Sequence, residues 1–299
     1  MKTTLDCIPC LVRQALDATR RVTADETVHE RIVRDVLQQA ATMDWAQPPP
    51  VLAQAIHRRL RQATGNEDPY QAEKRRQAQM AQDLLPELEQ QVVQAADPLL
   101  TAARLAIAGN VIDLGARPGA SANEVRQELQ EALSAPFQCD ADAFRQAVAQ
   151  ARHILYLADN AGEIVFDRLL IAQLPRARVT LAVRGAPVIN DATLEDARAA
   201  GLEEWARLID NGSDAPGTLL DDCAPAFLEH YRRADLVIAK GQGNFESLSG
   251  ESKTIFFLFN VKCPVIADHI GQPVGTPVLV RSPRKKTAAV PPRATGDAP

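Results

Sequence analysis

The strongest constraint on the fold is a change of pattern near residue 150. Before it, apolar residues recur at three- and four-residue spacing through stretches rich in Ala, Gln, Leu, Arg and Glu, at 8–20, 26–42, 50–63, 69–95, 97–108 and 121–134. That spacing predicts helices. Breaks fall at Pro48-Pro49-Pro50, at Thr64-Gly65-Asn66 and across the glycine-containing stretch 115–119. Because β-branched runs are almost absent there, residues 1–150 read as a multihelical domain. Beyond residue 150 short continuous apolar runs appear at 153–158, 178–183, 206–209, 235–239, 254–259 and 265–267, interleaved with helical stretches at 162–174, 192–200 and 217–231. Continuous apolar strands alternating with helices imply a mostly parallel sheet covered on both faces. Residues 151–282 are therefore expected to form a Rossmann-like three-layer α/β domain with the helical domain packed on it. The tail, 283–299, is basic and Pro-rich without apolar periodicity, which predicts disorder.

Composition narrows the function classes. The 299 residues are 46% hydrophobic and 24% charged, as in soluble globular proteins, and carry a formal net charge of −5. That charge argues against a nucleic-acid partner, which calls for a basic face. The opening MKTTLDCIPCLVRQ has no apolar h-region, and no apolar stretch approaches the ~18 residues of a membrane span. Five cysteines do not make a disulfide framework in a chain this long. A cytoplasmic location with no membrane partner is expected. Among 33 cationic residues the lysines are only Lys2, Lys74, Lys240, Lys253, Lys262, Lys285 and Lys286, so Lys240 and Lys262 stand out in their apolar surroundings.

In an open α/β sheet, ligands bind outside the carboxyl ends of the strands. Four predicted strands run into polar loops at those ends: Asp159-Asn160-Ala161-Gly162-Glu163, Arg184-Gly185 with Asn190-Asp191-Ala192-Thr193, the NGSDAPG segment at 211–217, and Lys240-Gly241-Gln242-Gly243-Asn244. Taken singly, Asp159-Asn160 and Asp191 read as helix N-caps and NGSDAPG as a tight turn. Their convergence on one edge points to an active site. Asp159, Asn160 and Asp191 offer only oxygen donors, which suits a hard divalent ion such as Mg2+ or Mn2+, with Co2+ and Ni2+ as alternatives. Lys240, Arg184 and the N–H groups around Gly241 and Asn244 complement a phosphate. Metal, cation and N–H groups together are the equipment of phosphoryl transfer. No G-x-x-x-x-G-K-[ST] loop is present, and KGQGN lacks the G-x-G-x-x-G spacing.

These segments resemble the metal-dependent damage-control phosphatases, formerly domain of unknown function 89, and most of all their prokaryotic CxxC-bearing branch. The similarity runs through Cys7-x-x-Cys10, Asp68-Pro69-Tyr70 with Lys74, Gly109-Asn110-x-x-Asp113, DNAGEIVFD at 159–167, VRGAPVINDAT at 183–193, NGSDAPGT at 211–218, KGQGNFESLS at 240–249 and FNVKCPVIA at 259–267. The resemblance implies an active site between a helical and an α/β domain, with metal ligation by Asp159, Asn160 and Asp191. It implies that Lys240 lies near the phosphate and that Asn110 belongs to the substrate site. Lys262 stands where the eukaryotic branch has the lysine of an Arg-Thr-x-Lys motif, though here Phe259-Asn260-Val261 precede it. Implied substrates are small phosphorylated metabolites, damaged or surplus, including sugar phosphates and phosphopantetheine derivatives.

The expected reaction is hydrolysis of a phosphate monoester. A metal polarises the phosphate, Lys240 neutralises a second oxygen, and water (in preference to Asp159 itself) attacks phosphorus. Glu163, one helical turn beyond Asp159, is either the general base or a first-turn glutamate complementing the helix dipole. Two other classes fit the fold: an S-adenosylmethionine-dependent methyltransferase and a non-catalytic phosphometabolite-binding module. Cys7-x-x-Cys10 reads as half a zinc site, a redox dithiol or two packed core thiols. Of the five histidines only His269 is a candidate ligand. The sequence leaves the oligomeric state unassigned.

Overall fold

The computed structural model describes residues 1–112 and 121–282. Asp113, the break expected at 115–119 and the tail at 283–299 lie outside the described residues.

Three N-terminal helices, α1 (Cys7–Val22), α2 (Glu26–Thr42) and α3 (Pro49–Thr64), bury their apolar faces in a cluster of their own that includes Leu11, Ile32, Val36, Leu52 and Ile56. Local chemistry sets their ends. Asp25 caps α2 by accepting from the Thr27 N–H, and α3 opens on Pro49 and closes on Gly65 in the left-handed region. Helices α4 (Gln71–Gln94), α5 (Pro98–Ala108) and α6 (Ala122–Ser134) face the other way. Their Leu84, Leu88, Leu105 and Ile107 belong to the apolar cluster that continues into the sheet.

The sheet has seven strands, β1 (Gln138–Cys139), β2 (Ile154–Leu157), β3 (Val179–Val183), β4 (Arg207–Asp210), β5 (Leu236–Lys240), β6 (Ile255–Asn260) and β7 (Pro277–Arg281), in the order β1-β7-β6-β5-β2-β3-β4. Every neighbouring pair is parallel except β6 with β7. Alternate residues feed two apolar layers, which is why the strands read as unbroken apolar runs. Tyr156, Ile238, Phe256 and Leu258 face α4 to α6, α7 (Ala141–Gln150), α8 (Ile164–Ile171) and α9 (Leu194–Ala199). Leu155, Val237, Phe257 and Phe259 face α10 (Pro225–Arg233), α11 (Gln242–Leu248) and α12 (Pro264–Ile270). The expected Rossmann-like three-layer α/β architecture with a multihelical N-terminal part is what the chain forms. From β2 the chain moves outward through β3 and β4, then returns to β5 on the opposite side of β2. That reversal opens a crevice at the carboxyl ends of β2 and β5.

Some expectations need correction. Residues 265–267, read as a strand, lie in α12, where Pro264 occupies the first helical positions and Gly271 closes the helix at φ 72. The helix expected at 217–231 begins at Pro225, because the preceding residues form a loop and a 3-10 turn at Leu220–Asp222. β7, and the short β1 paired to it, are not among the expected strands. Among the described residues no helix is long and apolar enough to cross a membrane.

Phe256 is fully buried, and its ring meets that of Phe144 edge-on at 5.2 Å. Phe256→Ala is expected to cost about 3–5 kcal/mol in urea unfolding. Val93→Ala, at a side chain 79% exposed, is expected to stay within about 0.5 kcal/mol.

Candidate active site

The crevice brings two strand ends into register. Residue 160, just past β2, and residue 191, in the loop after β3, form an isolated antiparallel bridge. The Ala192 N–H donates to the Asp159 carbonyl at 2.7 Å, and the Ala161 N–H to the Asn190 carbonyl at 2.8 Å. This stitch sets Asp159, Asn160 and Asp191 side by side on the wall of one cavity. Ile189, in the same loop, sits at φ 44. A β-branched residue there stores about 1–3 kcal/mol of strain, a cost found most often at functional loops.

Arg184, 2% exposed, organises the carboxylates from behind. Its Nε donates to Asp191 Oδ2 at 2.7 Å, and its Nη1 to Asn244 Oδ1 at 3.3 Å and Thr218 Oγ1 at 3.5 Å. Its Nη2 lies 3.8 Å from Asp159 Oδ1 and has no hydrogen-bond partner. Asn244 is anchored in turn, donating to the Ala158 and Lys240 carbonyls at 3.1 and 2.7 Å. Gly241 is required by close approach: a Cβ there would stand 2.0 Å from Asp159 Oδ2, and the residue's φ is 79.

Lys240 ends β5 but turns away from the cavity. Its Nζ is wholly buried and donates to the Ala106 carbonyl at 2.8 Å, Glu163 Oε1 at 2.5 Å and Asp167 Oδ1 at 2.6 Å. Burial opposes the charge on Lys240, but Asp167 and Glu163 more than compensate and raise its pKa. Glu163 is likewise committed, for its Oε2 accepts from Asn160 Nδ2 at 3.0 Å and Asn110 Nδ2 at 3.1 Å. Asn160 Nδ2 also approaches Asp159 Oδ2 at 3.1 Å, so its amide oxygen is the face left for a cation.

Among the residues singled out from sequence, Asp159, Asn160, Asp191 and Lys262 line the cavity directly. Arg184, Lys240, Glu163, Asn110 and Asn244 form a buried layer behind it. His269 stands on α12 against the Phe245 ring, outside the wall. Burial raises the Asp159 carboxyl well above its ordinary value, followed by the charges of Asp191 and Glu163, while Arg184 and Lys262 oppose this. The Asp159 carboxyl thus sits where its charged form is poorly solvated.

The opposite wall comes from the helical half. The cavity, about 640 Å³, is closed by Arg13, Asp17 and Arg21 of α1, Pro50 and His57 of α3, Tyr70, and Gln242 and Glu246 of α11. Burial drives His57 down to about 4, and raises Tyr70 to about 12 and Glu246 to about 7. Cys7 and Cys10, which open α1, share this wall with Cys263, and Cys7 also packs at the edge of the α1–α3 core. A second cavity of about 600 Å³ between α1 and α2 is lined by Ile8, Val12, Leu16 and Leu37 and holds no carboxylate. The NGSDAPG loop ties the two halves together: Asp214 accepts from Gln54 at 2.8 Å and Arg58 at 2.5 Å, and also from Arg61. Sequence reasoning gave no role to Asp167 or Thr218, although both lie in the segments DNAGEIVFD and NGSDAPGT, and beyond Cys7 and Cys10 it missed the α1 and α3 side chains of the wall. Only Asp167 had a signal, as a lone acid within the apolar run IVFDRLLI.

A model of the damage-control phosphatase ARMT1-like domain matches residues 3–278. The chain is 35% identical to a damage-control phosphatase of Archaeoglobus fulgidus over 285 residues, covering 92% of this chain and 97% of that protein. It is 32% identical to a damage-control phosphatase of Pyrococcus horikoshii over 288 residues, covering 94% and 99% respectively. An uncharacterized protein of Methanocaldococcus jannaschii is 33% identical over 298 residues, covering 92% of this chain and 94% of its own length. The crystal structure of a DUF89 family protein from P. horikoshii superposes with a TM-score of 0.86 at 32% identity, over 95% of this chain and 100% of that one. With the carboxylate pair facing a cavity at the switch point of the sheet, and with this match along almost its whole length, the chain belongs to the ARMT1-like damage-control phosphatase family.

Proposed function

We propose that the protein is a metal-dependent phosphatase that hydrolyses small phosphate monoesters in the cavity between α1, α3 and the carboxyl edge of the sheet. One observation carries the reading: Asp159 and Asp191 are stitched side by side on the cavity wall, with the Asn160 amide beside them. A divalent cation fits that set of donors. They are two carboxylates and the Asn160 amide oxygen, all hard. Among the described residues no three His, Cys, Asp or Glu side chains form a ready metal cage. That suits an ion such as Mg2+ or Mn2+, which keeps coordination positions for water and substrate phosphate. When bound, such an ion acts as a Lewis acid on the phosphoryl group.

The remaining work falls to the chain's own groups. Arg184 fixes the Asp191 carboxylate, and Thr218 and Asn244 fix Arg184. Glu163 holds the Asn160 amide so that its oxygen faces the cavity. Both Glu163 oxygens are used in this way, so its geometry supports orientation of Asn160 rather than general-base duty. Lys240 donates to the other Glu163 oxygen and holds that carboxylate in place. Lys262, on the wall, is the side chain best placed to meet a substrate phosphate. A cavity of about 640 Å³ suits a metabolite-sized ester and excludes water around it.

In a screen of p-nitrophenyl phosphate and small phosphate esters with Mg2+, Mn2+, Co2+ and Ni2+, the wild type turns over, and Asp159→Asn loses about 100-fold or more in kcat. Retained activity in the variant sinks the assignment. Binding of phosphate ligands without turnover would indicate a sensing module, and binding of S-adenosylmethionine in calorimetry a methyltransferase. The Asp159 carboxyl also fixes a sign for stability. Its pKa is raised in the fold, so its favourable contribution is present below the ordinary carboxylate range and is lost as pH rises toward the folded value. At neutral pH the metal-free Asp159→Asn variant should therefore melt higher than metal-free wild type, and added Mn2+ should raise the Tm of wild type more than that of the variant. Gly241→Ala is expected to destabilise by about 1–3 kcal/mol through its positive φ and to lower activity by displacing Asp159; an active, equally stable variant would refute the close approach.

A further inference from the structure

Asp167 is the one fully buried carboxylate of the site that the reaction described above does not use. It lies on α8 one turn beyond Glu163, and both accept from the Nζ of Lys240, at 2.6 and 2.5 Å. Lys240 and Glu163 would already form a neutral pair. A second acid with no exposed surface adds a charge that costs several kcal/mol to desolvate. Beyond Lys240, the Asp167 carboxyl has only the buried Tyr156 hydroxyl beside it, an interaction outside good hydrogen-bond geometry at Oδ2. Burial accordingly raises the Asp167 carboxyl to about 6, against the pull of Lys240. A fold retains such an arrangement where it serves a function.

We propose that Asp167 is a positioning residue that divides the charge of Lys240 and so leaves Glu163 free to orient Asn160; this rests on the metal-phosphatase reading given above. The ammonium stands between two carboxylates, with its third proton on the Ala106 carbonyl at 2.8 Å. Held there, it cannot pair with Glu163 alone. Glu163 therefore keeps its Oε2 as a strong acceptor for Asn160 Nδ2 at 3.0 Å and Asn110 Nδ2 at 3.1 Å. These bonds set which face of the Asn160 amide meets the cavity. Without the Asp167 charge, Lys240 swings onto Glu163, the hold on Asn160 loosens, and the oxygen is no longer fixed toward the ion. Outer-shell partners of metal ligands act in this way, at about 10–100-fold per partner in affinity or activity.

The test compares wild type, Asp167→Asn, Asn160→Ala and the double variant, with p-nitrophenyl phosphate in Mn2+, with Mn2+ binding by calorimetry and with thermal melting. Asp167→Asn is nearly isosteric and removes a surplus buried charge, so its Tm is expected to equal or exceed that of wild type. Its kcat is expected to fall about 10–100-fold, with KM within about twofold and weaker Mn2+ binding. In the Asn160→Ala background the same change is expected to add nothing, because both lie on one path. Asp167→Ser, smaller and also uncharged, carries the same expectations should the asparagine variant fail to fold. Unchanged kcat and Mn2+ affinity, or losses that multiply in the double variant, overturn the proposal. If the wild type hydrolyses no ester, the phosphatase reading fails, and Mn2+ calorimetry alone decides the role of Asp167. If the wild type binds no Mn2+ either, both fall.

Discussion

An ammonium buried with no water around it must find every partner in the protein, and Lys240 finds three. They come from separate parts of the chain: the last turn of α5, and two successive turns of α8. The lysine itself closes β5, so one side chain ties the central strand to two helices of the covering layer. Removing the lysine would leave two buried carboxylates without their counter-charge, a change that typically costs about 3–5 kcal/mol. The placement of Glu163, and through it the orientation of Asn160, depends on this node. The cavity-facing carboxylates rest on a base built from charge.

That base explains why the chain can hold Asp159 and Asp191 side by side at all. Like charges in a poorly hydrated crevice repel, and only Asp191 has a close guanidinium partner. Asp159 is left with a distant contact to Arg184 and a backbone stitch. The stitch acts mechanically: once residues 160 and 191 are bridged, the carboxylates cannot separate without breaking hydrogen bonds between the two strand ends. Gly241 completes the restraint by leaving no room for the Asp159 carboxylate to be displaced by a side chain. Whatever neutralises the pair recovers that repulsion.

Much of this was legible in the sequence, and what was not has identifiable causes. β2, β3, β5 and β6 announce themselves because burial on both faces demands unbroken apolar runs, while the edge strand β4 is only partly buried. The run at 265–267 misleads because three residues are too few to show a period, and Pro264 with Gly271 are the signals that decide for a helix. β7 opens on Pro277 just after Gly275 and pairs antiparallel with β6, outside the βαβ grammar. Asp159, Asn160 and Asp191 are readable as a site through their common position at strand ends. The direction in which Lys240 points is not, because it depends on Ala106 and Asp167, both more than seventy residues earlier in the sequence. A strand-end lysine looks the same in sequence whether it meets a phosphate or a buried carboxylate.

The helical half illustrates the same limit from the other side. Its periodicity gives the helices but not the face that each turns toward the sheet. In the fold, Asp214 draws α3 to the NGSDAPG loop through Arg58, Arg61 and Gln54, and this brings His57, Arg21 and the Cys7–Cys10 turn over the carboxylates. The imidazole pressed down to about 4 and the phenol raised to about 12 are uncharged near neutral pH, but Arg13, Asp17 and Arg21 of the same wall are charged. Charge of both signs therefore faces the carboxylates across the cavity. The carboxylate side of the cavity comes from strand ends, where backbone geometry is fixed by the sheet. The enclosing side comes from helices drawn to that edge through one shared aspartate, Asp214. Side chains of α1 and α3 can therefore vary in shape and charge without disturbing the bridge that holds the carboxylate pair.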